Sequence, residues 1–427
     1  MAFEDRYGNK LTCSSEEAAI AYREGVDHLL GATYGAVEAF TRAAKADPRF
    51  AVAQAGLARA LMMAGDMKSA KTAIASAVDN LASCGDREKM HVQVFASLFS
   101  GKAAQARSLA ETHLLTYPRD ALIAQLCAGV FGLIAFSGCS GTEAQIRGFS
   151  SWLLPHYGDD WWMRGIHAVS LCESGQPDKA LELMELSLES NPRNANGAHF
   201  KAHALYEMNQ PEIGLSYLNK WLTDYDQRAQ LHGHLSWHVA LWAMGLGETD
   251  TMWSTVDKNV GPHGSMGLAI NTATDTAAIY FRAEMAGIEV APERWQKLSS
   301  YVAEKFPNPG QSFVDIHAAL SHAMAGNSTE LAKFLDHPKG FAGDLVHSCA
   351  ETWRLIVQQQ WQQALAALTP VMSQHARLGG SRAQRDMLEF TYLNILMKLG
   401  KAQEAQRFIQ TRRAVFADSV PLASWQN

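Results

Sequence analysis

Hydrophobic and small residues recur every three to four positions through most of the chain, which is the spacing of one face of an α-helix. Residues 36–65, AVEAFTRAAKADPRFAVAQAGLARALMMAG, show an amphipathic helix, an Asp-Pro stop, a second helix with small residues at packing positions, and a terminal glycine. The same pattern returns at 103–126 and at 174–208. No run with the alternation of a β-strand competes with these helices. We therefore predict an all-α chain.

The spacing of the helix breakers indicates a repeat. Pro48, Pro118 and Pro192 are separated by 70 and 74 residues, which is close to two units of about 34 residues each. The order A-x-x-A-F-x-x-A, then D-P, then A-x-x-G-L-A resembles the tetratricopeptide repeat, a helix–turn–helix unit of that length. The resemblance implies an α-solenoid of antiparallel helix pairs, curved or closed around an internal groove.

Beyond residue 210 the repeat pattern degenerates, but helix pairs still fit the sequence. The predicted pairs are 211–223 with 229–246, 247–259 with 268–286, 293–305 with 312–325, 328–336 with 343–359, and 360–376 with 382–399, before a last helix at 401–415. No linker rich in Pro, Gly or Ser divides the chain. We predict one repeat array over 1–427, with clearer repeats at 17–209 and degenerate repeats at 210–415. The apolar stretch 122–136 is too short to span a membrane and predicts a buried helix.

The composition is typical of a folded protein with a large core. Hydrophobic residues make up 47% of the chain, charged residues 19%, and the net charge is −6. There is no basic stripe to attract nucleic acid or an anionic membrane, so neither is an expected partner. The first residues lack the apolar core of a secretory signal, and the six cysteines show no CxxC spacing. We therefore predict a cytoplasmic protein with reduced thiols.

Histidines cluster in one part of the chain. His199 and His203 are four residues apart, as are His234 and His238, so a helix places both rings of each pair on one face. Sixteen histidines in 427 residues would give about 0.6 such pairs by chance, and two are present. Imidazoles at this spacing suit zinc, iron or manganese. These four residues are the predicted metal ligands, although the HExxH motif of zinc proteases is absent.

Several polar motifs match a narrower family. The stretches REKMHV, AHFKAHALYEM, HGHLSWHVAL, TATDTAAIYFRAEMAG, FVDIH and GGSRAQRDM begin at residues 87, 198, 232, 272, 313 and 379. Together they resemble the tetratricopeptide repeat protein 38 family, and the last motif is the most specific of them. The resemblance implies an α-helical repeat fold and no established general activity. The match is poor at both ends of the chain.

The polar motifs fall on the second helix of successive predicted pairs. These helices are 196–209, 229–245, 268–286, 312–325 and 382–399. In a solenoid they would lie side by side and line one concave face. Burying many ionisable groups is costly unless they pair with each other or with a ligand. We therefore expect one shared cavity for a small polar, anionic molecule.

The main hypothesis is a small-molecule enzyme that uses acid–base or metal-assisted hydrolysis or elimination. Its catalytic residues would be His203, His238 and His317 as base, acid or metal ligands, with Asp315 and Asp275 to orient them. The predicted substrate-binding residues are Arg385, which would anchor an anionic group, and Asp386, Gln384, Trp237, Asp275, Arg282 and Glu207. A divalent metal is the candidate cofactor. No nucleotide cofactor is expected, because phosphate-binding glycine loops are absent.

Two other hypotheses remain open. In the first, the protein is a non-catalytic scaffold whose concave groove binds a peptide, a protein partner or a second copy of the chain. In the second, the buried polar residues form a network that only stabilises the superhelix. Ser381 would be a nucleophile in a hydrolase, but the GxSxG context that usually accompanies this role is missing.

Overall fold

The computed structural model describes residues 3–425, and within them the chain forms 22 α-helices and one two-stranded antiparallel hairpin. Most consecutive helices pack on one another. The prediction of an all-α array of antiparallel helix pairs is therefore confirmed. The hairpin, which the sequence pattern did not indicate, pairs Phe3 with Leu11 and Glu4 with Lys10.

The helices form two compact units. The first comprises Met1–Ala135, Glu143–Lys201 and Asp224–Leu231, and the second comprises Phe136–Thr142, Ala202–Thr223 and His232–Asn427. One boundary between them falls inside a continuous helix, α11 (Ala195–Glu207). The chain passes from one unit to the other within this helix, which explains why the sequence shows no linker at that point.

The first unit contains the hairpin and ten helices that precede α11. Their bounds are β1 Phe3–Glu4, β2 Lys10–Leu11, α1 Glu16–Gly31, α2 Ala36–Ala46, α3 Ala51–Met63, α4 Met67–Asp79, α5 Asp86–Phe99, α6 Ala103–Thr116, α7 Ala121–Cys127, α8 Thr142–Tyr157, α9 Trp161–Glu173 and α10 Pro177–Ser190.

The second unit contains the helices that follow α11. Their bounds are α12 Pro211–Trp221, α13 His232–Gly245, α14 Thr249–Thr255, α15 Ala269–Met285, α16 Pro292–Lys305, α17 Ser312–Met324, α18 Ser328–Asp336, α19 Gly343–Val357, α20 Trp361–Met372, α21 Arg382–Lys398 and α22 Ala402–Arg412. Helix α15 lies at the centre, packed against α13, α17 and α21.

Local sequence signals account for many helix starts. The side chains of Ser15 and Asp66 each accept a hydrogen bond from the backbone N–H three residues later, which caps α1 and α4. Pro177, Pro211 and Pro292 occupy the first position of α10, α12 and α16, where the missing N–H costs no helical bond. The five helices predicted to carry the polar motifs correspond to α11, α13, α15, α17 and α21, with bounds within three residues of those predicted.

The prediction of one buried helix across 122–136 is wrong. Helix α7 ends at Cys127, and Gly129 then adopts a left-handed φ of +76°. A Cβ at Gly132 would lie 2.5 Å from a backbone carbonyl oxygen. The two glycines therefore allow a tight, mostly buried loop where the apolar composition suggested a helix.

No helix within residues 3–425 combines the length and the apolar character needed to cross a lipid bilayer.

Candidate metal centre and its surroundings

Four histidines on α11 and α13 form the one group of His, Cys, Asp or Glu within residues 3–425 whose ligand atoms are close enough to share a metal ion. His199 and His203 lie one turn apart on α11, and His234 and His238 lie one turn apart on α13. One ligand nitrogen from each ring lies within 4.8 Å of the other three. All four side chains are buried. The structure thus brings together the four residues that the sequence predicted as metal ligands, which we call the four-histidine group.

Aromatic rings surround this group. The His238 ring lies edge-on to the rings of His203 and His234, with centroids 4.8 and 5.1 Å away. Trp237, which is completely buried, stacks on His234 with the two ring planes 15° apart. Trp242 lies 5.9 Å from His238. Trp237 was predicted to bind substrate, and in the structure it forms part of the aromatic wall around the histidines.

Asp275 on α15 orients one of the rings. Its Oδ2 lies 2.7 Å from Nδ1 of His234, and both side chains are buried. A carboxylate in this position accepts a hydrogen bond from the Nδ1–H of the ring. In the neutral imidazole the lone pair is then on Nε2. Histidines that bind metals commonly make such a bond through the other ring nitrogen. The predicted orienting role of Asp275 therefore has a geometric basis at His234.

Two of the four histidines have the protonation state that a metal ion requires. Burial, with a smaller effect from His234, lowers the pKa of His203 to about 3. Burial and the neighbouring rings of His203 and His234 also hold the pKa of His238 well below its ordinary value. Both imidazoles are therefore neutral near pH 7, which is the form that donates a lone pair to a metal ion.

Two of the predicted substrate-binding residues pair with each other. Arg282 on α15 donates to the carboxylate of Asp386 on α21, and both side chains are almost completely buried. The hydroxyl of Tyr206 donates to the second carboxylate oxygen at 2.5 Å. Burial raises the pKa of Asp386 even though Arg282 and Arg413 act in the opposite direction. These groups form a buried ion pair inside the second unit.

Glu207, also predicted to bind substrate, belongs to the same network. Its carboxylate accepts hydrogen bonds from Arg413 at 2.9 Å and from Arg382 at 3.1 Å. Arg413 also donates to Glu389 at 2.6 Å, and Arg412 donates to Glu389 at 3.0 Å. These contacts connect α11, α21 and the end of α22.

The GGSRAQRD motif builds the start of α21. The Ser381 hydroxyl accepts from the Gln384 N–H at 3.2 Å, and the Gln384 side chain accepts from the Ser381 N–H at 3.0 Å, which is a complete capping box. Arg385 donates to the Gly380 carbonyl at 2.6 Å. These bonds give Ser381 and Gln384 roles in helix initiation, and they attach the Arg385 guanidinium to the turn before the helix.

Asp315 and His317 on α17 do not contact each other as predicted, because residues two apart on a helix point to different sides. The Asp315 carboxylate accepts from the Gly310 N–H at 2.9 Å. His317 donates from Nδ1 to the Phe313 carbonyl at 2.7 Å. Burial raises the pKa of Asp315 to about 7 and lowers the pKa of His317 to about 4.

We expect Asp315→Asn to stabilise the protein at pH 8 and to have little effect at pH 4. The pKa of Asp315 rises from 3.8 to about 7 on folding, so between these values the unfolded chain has lost a proton that the folded chain keeps. The stability of the wild type therefore falls as the pH rises through this window. Asparagine stays neutral and can still accept a hydrogen bond from the Gly310 N–H. The variant therefore does not undergo the decrease in free energy of unfolding, at most about 4 kcal/mol, that the wild type undergoes between pH 4 and pH 8. Urea unfolding of both proteins at the two pH values measures the difference, and an equal change at pH 4 and pH 8 would contradict the assignment. The exposed substitution Asp336→Asn is the control.

A second buried polar cluster, in the first unit, was missed by the sequence reasoning. Asp120 accepts hydrogen bonds from Arg87 at 2.7 Å, from Nδ1 of His91 at 3.0 Å and from Nε2 of His113 at 3.0 Å. All four side chains are buried. Burial acts to raise the pKa of Asp120, but His91, Arg87 and the hydrogen bonds hold it well below its ordinary value. The one available signal was the run REKMHV at 87–92, which places charged residues and a histidine on a packing helix.

Comparison with known proteins identifies the repeat type locally. A family model described as tetratricopeptide repeat matches residues 30–85, the segment that contains α2 to α4. Among solved structures, yeast Tom70 is 15% identical over 92% of this chain and 91% of that chain, with a TM-score of 0.36. A human IFIT1 dimer with m7Gppp-AAAA is 12% identical over 96% of each chain, with a TM-score of 0.43. The P58(IPK) TPR domain is 12% identical over 92% of this chain and 89% of that chain, with a TM-score of 0.23. Similarity at this level carries no information about function.

Proposed function

We propose that the protein is a non-catalytic helical-repeat scaffold in which the four-histidine group binds one zinc ion. The observation that carries this proposal is the convergence of four ligand nitrogens from two helices within 4.8 Å. The hydrogen bond from His234 to Asp275 supports it, because histidines that bind metals commonly make such a bond through one ring nitrogen. We further propose that the chain is related to the tetratricopeptide repeat protein 38 family through the polar motifs that build this region.

The ligand set favours zinc over manganese. Zinc accepts four neutral imidazoles in a tetrahedral arrangement with Zn–N distances of about 2.0–2.1 Å. Such a tetrahedron separates its ligand nitrogens by roughly 3.3 Å, so small rotations of the rings would complete the site. Manganese and magnesium prefer carboxylate and carbonyl oxygens, and Asp275 is directed at a histidine rather than at the centre of the group.

A site of four protein ligands favours a structural role. Catalytic zinc sites usually keep a coordination position for water or substrate, with three protein ligands, whereas structural sites are closed by four. Other predicted catalytic and substrate-binding side chains form hydrogen bonds with residues of the protein itself. These are Asp315 with Gly310, His317 with Phe313, and Arg282 with Asp386. These contacts offer no support for the enzyme hypothesis.

Binding of a protein partner is the second candidate function. It is supported by the tetratricopeptide match at residues 30–85, because arrays of this repeat commonly bind peptides or helices. The matched segment borders a groove of about 290 Å³ between α4 and α5, which is lined by Ile74, Val78 and Phe99 with Lys71 at its edge. A partner that binds there would protect α4 and α5 from amide hydrogen exchange.

Metal analysis of the purified protein tests the main proposal. Prepared without a polyhistidine tag and dialysed after loading with zinc, the wild type is expected to retain about one zinc ion per chain. His203→Ala and His238→Ala should each lower the retained zinc at least tenfold, because each removes one of four ligands. Inductively coupled plasma mass spectrometry gives the stoichiometry.

His322→Ala is the matched control, because His322 is equally buried in the same unit but bonds to Ser299. This variant should keep its zinc. The proposal fails if the wild type retains less than about a tenth of an ion per chain, or if His203→Ala and His238→Ala retain as much zinc as His322→Ala.

A further inference from the structure

A cavity of about 530 Å³ lies in the second unit, where α15, α17, α19 and α21 end and α20 begins. Its size falls within the range of about 300–1,000 Å³ that is usual for small-molecule sites. Every residue that lines it belongs to the second unit, and none belongs to the four-histidine group. The cavity is therefore a separate candidate binding site.

Most of the wall of this cavity is apolar. It contains Phe281, Met285, Met324, Ile356, Val357 and Trp361. Val357 is 49% exposed, so a ligand with apolar side chains would remove hydrophobic surface from water there. Methionine and aromatic side chains adapt well to such groups. The wall therefore favours a ligand with an apolar body.

One carboxylate in this wall has no cation beside it. Glu284 on α15 is half-buried, and its Oε1 accepts a hydrogen bond from the indole N–H of Trp295 at 2.7 Å. Within residues 3–425 it forms no ion pair. Burial raises the pKa of this carboxyl group, and the bond from Trp295 acts in the opposite direction. A cationic group in the cavity would stabilise the ionised form.

Groups that would bind a carboxylate lie at the end of α21. Lys398 and Asn394, one turn apart on this helix, both line the cavity. Lys398 is exposed and has no acidic partner in the part of the chain that the structure describes. An ammonium group and an amide N–H are both donors to a carboxylate. The cavity thus offers one unpaired positive and one unpaired negative charge.

The segment after α22 adds a neutral polar group. The Ser424 hydroxyl lies in the cavity wall, is buried, and has no hydrogen-bond partner. The N–H of Ala423 donates to the Met285 carbonyl at 2.9 Å, which fixes this segment beside α15. A buried hydroxyl without a partner is unfavourable. A peptide group of a ligand would supply the missing hydrogen bond.

The spacing of the two charges indicates the length of the ligand. Helices α15 and α21 run in the same direction, since Arg282 contacts the start of α21 and Met285 contacts Thr391 further along it. Lys398 lies seven residues beyond Thr391, which is about 10 Å at 1.5 Å per residue. An extended dipeptide spans about 7 Å, and an ion-pair contact of about 2.8 Å at each end extends this to roughly 12 Å. A single amino acid is shorter by about 3.5 Å.

We propose that the cavity binds a free dipeptide with apolar side chains. The ammonium group of the ligand pairs with Glu284, and its carboxylate pairs with Lys398 and Asn394. Its two side chains contact the apolar wall, and its peptide group bonds to the Ser424 hydroxyl.

Isothermal titration calorimetry with leucyl-leucine tests this assignment. The wild type should bind it with a Kd between about 10 µM and 1 mM, which is the affinity that a ligand of this size commonly reaches. N-acetyl-leucyl-leucine lacks the ammonium group, leucyl-leucine amide lacks the carboxylate, and leucine is too short to reach both charges. Each should bind at least tenfold more weakly. Equal binding of any of the three compounds would overturn the proposal.

Two variants separate the roles of the charges. Glu284→Gln removes the charge but keeps an acceptor for Trp295. It should weaken leucyl-leucine binding at least tenfold and leave the binding of N-acetyl-leucyl-leucine unchanged, because that compound has no ammonium group. Lys398→Gln, at an exposed position, should likewise lose the preference for leucyl-leucine over its amide. Glu289→Gln, at an exposed position just beyond α15, should bind leucyl-leucine like the wild type.

Zinc content, measured on the same samples, separates this proposal from the previous one. Both Glu284→Gln and Lys398→Gln should keep the wild-type zinc content. Loss of dipeptide binding with zinc retained therefore supports the dipeptide site. Absence of binding by the wild type at about 5 mM leucyl-leucine, or an unchanged preference in either variant, overturns it whatever the zinc content.

Discussion

Removing the zinc ion is expected to lower the melting temperature of the protein by about 10 °C or more. A metal that binds only the folded chain stabilises it by about 4 kcal/mol when its free concentration is about a thousand times Kd. For a unit of about 200 residues, each kcal/mol corresponds to roughly 2–4 °C. The four-histidine group connects α11 to α13, so the loss should begin with the packing of these two helices.

Differential scanning calorimetry with and without a chelator measures this effect. Adding zinc back should restore the transition. His238→Ala should melt at the lower temperature and show no response to the chelator, whereas His322→Ala should still respond. A wild-type transition that is the same before and after chelation would show that no structural metal is present.

Asp120→Asn is expected to destabilise the protein by about 3–5 kcal/mol. Asp120 accepts from Arg87, His91 and His113 in a buried site. Asparagine has nearly the same shape but no charge, so the buried Arg87 guanidinium loses its closest ion-pair partner and keeps only the more distant Glu88 carboxylate, 3.8 Å away. Removal of one member of a buried ion pair typically has an effect of this size.

Urea unfolding at pH 7 gives the change in free energy. Asp66→Ala is a suitable control, because Asp66 is exposed and only caps the start of α4, so its loss should cost about 1 kcal/mol. If the two substitutions have equal effects, the Asp120 cluster contributes no more than an ordinary surface cap.

The sequence predicts most of the helices because their signals are local. Asp-Pro stops, proline at the first helical position and period-3.6 spacing each act within one or two turns. The prediction failed at 122–136 for the same reason. Apolar composition indicates burial, but the conformation there depends on the left-handed φ of Gly129 and on the close approach of backbone atoms to Gly132, which the pattern of apolar residues does not reveal. Tertiary contacts decide such segments.

The candidate site was partly predictable for a similar reason. The two HxxxH pairs were visible because each pair lies on one helix. That the pairs would meet followed from the repeat architecture. In contrast, the hydrogen-bond partners of Asp315 and Asp120 could not be predicted from the spacing of residues in the sequence. His91 and His113 lie on different helices and converge on Asp120 only in the folded unit.

The Arg413–Glu207 contact has a consequence for synthesis of the chain on the ribosome. The two residues are 206 positions apart. Glu207 therefore cannot pair with Arg413 until almost all of the second unit has been translated. The early helix hairpins can form as they emerge, because their contacts are local. A message truncated before codon 413 would produce a nascent polypeptide in which Glu207 and Glu389 both lack this cation. Such a product would be a ready target for chaperones and proteases.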